Sequence, residues 1–251
     1  MVSLCRISLA SLTFALLVFA ATPTVNADEL IVNGGFETGT FAGWNRVVRP
    51  GSNATNFFID NNVGGTPVSG GPTVGPRSGS FYAVSDQSGP GTVSLLQTFV
   101  VPAASTSVIL SFDMFVNNFA GAPIINPIGL DHTSGPNQHG RVDILTASAG
   151  AFDTGAGVLA NYYLGADLGP NPHPYIRYTF DITSLVGAGG TFQLRFAETD
   201  NQLFFNLGVD NVSINTTAIP EPATMILLGT GLAAIAARVR RRRQARCTGE
   251  A

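Results

Sequence analysis

The sequence predicts an all-β body, an antiparallel β-sandwich of two packed sheets. Three observations predict it. Apolar and polar residues alternate over several stretches, and 29 Gly and 15 Pro supply frequent turn signals. Inside the body no helical periodicity runs longer than Ile182–Val186.

Each element follows from its own pattern. In Ser107–Val116, residues Val108, Leu110, Phe112, Met114 and Val116 share one face. In Thr191–Phe196, residues Phe192, Leu194 and Phe196 alternate with Thr191, Gln193 and Arg195, as in a strand with one wet face. Further strands are expected at Leu30–Val32, Val47–Val48, Phe57–Asp60, Phe81–Ser85, Thr92–Val101, Arg141–Thr146, Tyr175–Asp181 and Gly208–Asn215. Leu207 and Val209 have one strand parity, Val212 and Ile214 the other. A β-bulge at Asp210-Asn211 keeps all four inside. Asn61 to Gly79 is rich in Gly, Pro, Ser and Thr, and Phe119 to Gln138 lacks periodicity; both read as mobile surface loops.

The two ends differ from the body. Met1 to Ala27 has Arg6, an apolar run from Ile7 to Ala21 and the small-residue exit Val25-Asn26-Ala27, the pattern of a secretory signal peptide cut before Asp28. Near the other end, Ala223 to Ala237 is an apolar run of fifteen residues. As a helix it reaches ~22 Å against a hydrocarbon core of ~30 Å, short for a durable anchor. Arg238, Arg240, Arg241, Arg242 and Arg243 follow it and set a cytoplasmic side, with the body outside.

Charge and cysteine usage narrow the function classes. Asp28 to Ile219 carries six Arg against fourteen Asp and Glu, a net −8, which argues against nucleic acid as a partner. Cys5 lies in the signal and Cys247 in the tail, so the body has no disulfide framework and no cysteine nucleophile.

Pro220-Glu221-Pro222, the short apolar run and the arginine cluster resemble the PEP-CTERM sorting signal of exported proteins in Gram-negative bacteria. The resemblance implies an exosortase-type membrane protease as partner and transient insertion in the inner membrane. It also implies delivery to the cell envelope or extracellular matrix. Pro220 and Pro222 hold the backbone extended and open to that protease. The expected organisation is a signal peptide at 1–27, a sandwich domain at 28–217, the sorting signal at 218–243 and a cytoplasmic tail at 244–251.

A second resemblance spans almost all of Asp28 to Asn215. Val32-Asn33-Gly34-Gly35-Phe36-Glu37-Thr38-Gly39 with Gly43-Trp44 resembles the opening of galactose-binding-like jelly rolls, the fold of several families of carbohydrate-binding modules. Ser78 to Ala83, Leu96 to Phe99 and Leu207 to Ile214 continue it. It implies a jelly roll, and a structural Ca2+ held by Glu37 and Asp210 with loop carbonyls near Gly79 and water.

Three classes of function remain to weigh. Sugar binding calls for exposed aromatic platforms beside hydrogen-bonding groups. Trp44 reads as core, while Tyr162 and Tyr163, in a loop beside Asn161, are the platform candidates, with Tyr175 next. Adjacent residues on a strand point oppositely, so one of Tyr162 and Tyr163 is expected to face outward. The alternative for each is a buried ring, and with it a structural or adhesive matrix role. A hydrolase ranks third and no enzyme activity is expected, because no catalytic signature occurs. His132 and His139 near Asp131 and Asp143 read as polar loop residues rather than chelators, and His173 between two prolines as loop punctuation.

Overall fold

The computed structural model describes residues 27–120, 129–218 and 229–239. Pro220, Glu221, Pro222, Arg240, Arg241, Arg242, Arg243, the 244–251 tail and all of the expected signal peptide except Ala27 lie outside these residues. Two units are distinguished, and the compact one that carries the core runs from Ala27 to Ala218. In the other unit, residues 229–239 are helical and include Arg238. Among the described residues no helix is long and apolar enough to cross a membrane.

The body is an antiparallel β-sandwich. Its strands are β1 (Ala27–Glu29), β2 (Asn45–Val48), β3 (Asn56–Asp60), β4 (Tyr82–Asp86), β5 (Gly91–Val101), β6 (Ser105–Asn118), β7 (His139–Thr146), β8 (Val158–Gly165), β9 (Ile176–Asp181), β10 (Gly190–Asp200) and β11 (Phe205–Ala218). A single helical turn, α1 (Thr183–Val186), links β9 to β10. One sheet has the order β3-β4-β11-β6-β9, with β1 also paired to β11, and the other β2-β5-β10-β7-β8. Ala27 pairs with Thr217, so the two ends of the body lie side by side.

The alternation read from the sequence sets the interior. Val108, Leu110, Phe112, Met114 and Val116 are all buried, facing Leu194 and Phe196 of the opposite sheet. Phe112 and Phe196 meet edge-on across the layers at 5.2 Å, and Trp44 packs between Phe36 and Phe196. Fully burying side chains of this size contributes about 1.5–3 kcal/mol each. The bulge occurs where expected. Asp210 pairs with Asp113 and Ser213 with Ser111, so Asn211 and Val212 oppose Phe112 alone. Asn211 takes a left-handed φ of 52° there.

Three expectations need correction. Asn161, Tyr162 and Tyr163, which read as loop residues, lie on the edge strand β8. Its alternation was masked because two bulges interrupt the pairing with β7 and each reverses the inside–outside parity. Asn61 to Gly79 is exposed at both ends, but its middle, with Thr66, Gly71, Thr73 and Gly75 buried, covers the outer face of the first sheet. There Tyr82, Val84 and Phe115 form a second apolar cluster with Val74 and Tyr175. Arg195 does not face water, being fully buried under the 147–157 loop. Periodicity separates the two faces of a strand but carries no information on which loops return to cover the outer one.

Candidate functional site

Glu37 and Asp210 act on the same loop. The Glu37 carboxylate accepts the N–H groups of Ser80 and Phe81 at 3.0–3.1 Å. Buried Asp210 accepts those of Arg77 and Ser78 at 2.9 and 3.0 Å through Oδ2, and that of Asn211 at 2.6 Å through Oδ1. Burial, with Glu37 adding repulsion against these amides, pushes the Asp210 carboxyl up to about 6. The loop thus turns amide N–H groups, not carbonyls, toward the two acids. That donor set fits carboxylates and not a hard cation, which takes six to eight oxygens.

The cover continues along the sheet. Asp86 accepts from Val68 N, Ser69 N and Ser69 Oγ, and the Asn117 amide donates to Pro72 O. Tyr175, expected as a sugar platform, packs edge-on against Phe115 at 5.0 Å and donates its hydroxyl to Gly75 O. Burial raises that phenol well above its ordinary range.

Tyr162 and Tyr163 lie on β8 and both turn inward. Val142 pairs with Tyr163 and Asp143 with Asn161, which leaves Tyr162 as the extra residue of a bulge. Two neighbours that would point oppositely on a regular strand therefore share a side. Tyr162 packs on Phe180 at 4.7 Å. Tyr163 packs edge-on against Tyr178 at 5.9 Å and donates to Asp167. Both rings close the seam between edge strands β8 and β9 rather than standing free as platforms.

On the outer face of the second sheet, Asp143 sits between two buried guanidiniums. Arg195 reaches its Oδ2 at 2.6 Å, and Arg141 its Oδ1 at 2.7 Å. The two arginines offset the cost of burying this carboxylate and hold it below its ordinary range. His139 Nδ1 bonds Asn137 and His132 Nδ1 bonds Thr92, Asp131 pairs with Arg49, and the backbone N–H of His173 donates to the Asn117 side chain. His132, His139, Asp131 and Asp143 each have a partner, although His139 Nε2 is left without one. Among the described residues no three His, Cys, Asp or Glu side chains converge.

A different constellation occupies one end of the sandwich. The Gln87–Pro90 turn and the Asp200–Phe204 turn enclose a pocket of about 160 Å³, lined by Gly89, Pro90, Asp200, Asn201, Gln202, Leu203 and Phe204. Phe204 and Leu203 are 40% and 56% exposed, so a ring and a branched chain stand open beside the polar floor. Below lies Glu198, fully buried, whose Oε2 accepts the Ser85 hydroxyl at 2.6 Å across the two sheets. Burial pushes Asp200 up to about 8 and Glu198 well above the carboxylate range, with Asp200 and Asp86 adding like charge at Glu198. The sequence held a readable signal that was missed. The alternation Phe192, Leu194, Phe196 runs on through Glu198 and Asp200, which places two acids on the inward face.

A β-sandwich joined to a short apolar tail with clustered arginines defines an exported protein that carries a C-terminal address. Residues 218–242 match the PEP-CTERM protein-sorting motif. No curated protein matches the chain. Solved structures similar to it include TmCBM61 in complex with beta-1,4-galactotriose, 10% identical over 74% of this chain and 97% of that one, with a TM-score of 0.46. The family 11 carbohydrate-binding module from Clostridium thermocellum is 13% identical over 78% and 98%, with a TM-score of 0.38. A Stig cyclase from Fischerella sp. TAU is 17% identical over 77% and 100%, with a TM-score of 0.45.

Proposed function

We propose that the body binds carbohydrate through the pocket at the sandwich end, and that the protein works in the cell envelope or extracellular matrix after an exosortase-type protease removes its tail. The observation that carries this reading is the exposure of Phe204 and Leu203 at the mouth of a largely apolar pocket, with the exposed Gln202 side chain beside them. A sugar ring presents an apolar C–H face to the phenyl group while its hydroxyls meet the exposed Gln202 amide at the rim. Sites for drug-sized ligands run to ~300–1,000 Å³, so this pocket takes a single ring or chain end rather than a buried oligosaccharide. A glycan-array screen of the exported protein tests it. Retention of one glycan class is expected, with at least a tenfold loss in Phe204→Ala; unchanged binding in that variant would move the site elsewhere.

The inward packing of Tyr162, Tyr163 and Tyr175 favours the second reading, a structural or adhesive matrix component. An empty glycan array together with self-association of the exported protein would select it.

The calcium implied at Glu37 and Asp210 is a separate proposal. It requires the 77–81 loop to exchange its inward amides for carbonyls, and no step of the function depends on it. Loss of a calcium-dependent rise in melting temperature on Asp210→Ala would support it.

A further inference from the structure

We infer that the floor of the sandwich end is a site for one divalent oxygen-seeking cation of the calcium type, held by Glu198, Asp200 and the side-chain oxygen of Gln87. Hydrogen-bond accounting points there first. Glu198 Oε1, Asp200 Oδ1 and both amide atoms of Gln87 are buried without a well-aligned partner; the Gln87 amide lies close enough to Asp200 to favour its carboxylate, but out of hydrogen-bond alignment. Native proteins leave few such atoms unmade, because each costs about 1–3 kcal/mol. Gln87 is fully buried, and rotating its amide by half a turn exchanges its oxygen and nitrogen at no steric cost.

Charge points the same way. Glu198 and Asp200 are two residues apart on β10 and therefore project from one face. The charged neighbours bearing on the pair are acidic. Asp143, buried to the same extent, instead has two arginines at hydrogen-bond distance. Protonation relieves the repulsion by adding one donor; a divalent ion neutralises both carboxylates and satisfies the oxygens together. Two carboxylates and one amide oxygen supply about half a calcium shell, with no third acidic or imidazole side chain converging among the described residues. Water in the adjoining pocket can fill the remaining positions, and the pocket reaches Asp200, so the site has an entry path.

The inference does not rest on the saccharide reading, and the two are tested apart. Titration of the chelator-stripped exported protein with CaCl2, without any glycan, should show a bound-ion count that falls by one in Glu198→Gln. The melting temperature of the wild type should rise by several degrees in CaCl2 over chelator. In chelator alone, Glu198→Gln should melt at or above the wild type, because the like-charge pair is gone. A wild-type count of zero, or a count unchanged by Glu198→Gln and Asp200→Asn, overturns the site. Crystals of the wild type soaked in TbCl3 give a reading that needs no variant to fold. An anomalous peak between Glu198 and Asp200 is expected, and none there rejects the inference.

Discussion

Gly79 and Glu37 compete for one space. A β-carbon at position 79 would fall within the Glu37 carboxylate, and Gly79 holds a φ of 63°. The absent side chain lets the carboxylate reach the neighbouring N–H groups of Ser80 and Phe81. Gly79→Ala should therefore destabilise the body by about 2 kcal/mol or more, combining left-handed strain with displaced hydrogen bonds. Chemical denaturation of the variant checks this; a midpoint unchanged from wild type would show that the loop is not held by Glu37.

Removing Asp143 should cost more. Asp143→Ala strands Arg195 and Arg141, which are 0% and 8% exposed, without their shared carboxylate. Breaking a buried pair from one side costs about 3–5 kcal/mol. Asp143→Asn should fall between, since its amide oxygen still accepts a hydrogen bond while the charge is gone. Equilibrium unfolding ranks the three chains.

Stability should depend on pH with a definite sign. Asp200 binds its proton more tightly when folded, with its carboxyl pushed up to about 8. Its contribution is therefore fully present below its unfolded value and is lost as pH rises through about 8. His139, whose imidazole burial pushes down to about 4, contributes oppositely, losing stability as pH falls below its unfolded value near 6.5. Between about pH 9 and pH 6.5 only the carboxyl effect operates. In chelator the unfolding free energy should rise on acidification across that window, by at most about 1.4 kcal/mol per pH unit for each proton bound, and the melting temperature with it. Asp200→Asn should flatten the slope, and a wild-type profile already flat would contradict the burial of this acid.

The sorting reading predicts the ends of the mature chain. Intact-mass analysis of the secreted protein should show a start at Asp28 and loss of the chain after Pro222 or nearby. Retention of Arg238 to Arg243 would leave a simple anchor. Deleting those arginines should cause missorting without lowering the melting temperature of the body, because they lie outside the Ala27–Ala218 unit and read as a topology signal. Normal surface delivery of the deletion variant would remove the cluster from the address.

The sequence by itself determined the fold class, the inward faces of β6 and β10, the bulge after Asp210 and the sorting tail. Each is a local signal, in that strand parity, apolar runs and fixed-order motifs need no knowledge of distant residues. Tertiary structure alone decided the fate of the polar and aromatic residues. The bulge that turns Tyr162 and Tyr163 to one side depends on pairing with β7. The roof over Tyr175 depends on a loop returning from about a hundred residues earlier in the chain. Arg195 looked solvated and is buried because residues 147–157 cover it. Asp200 meets Gln87 at the end of the sandwich only because two different hairpins come together there. Local patterning fixes which way a side chain points, whereas its solvation is set by whatever the rest of the chain packs in front of it.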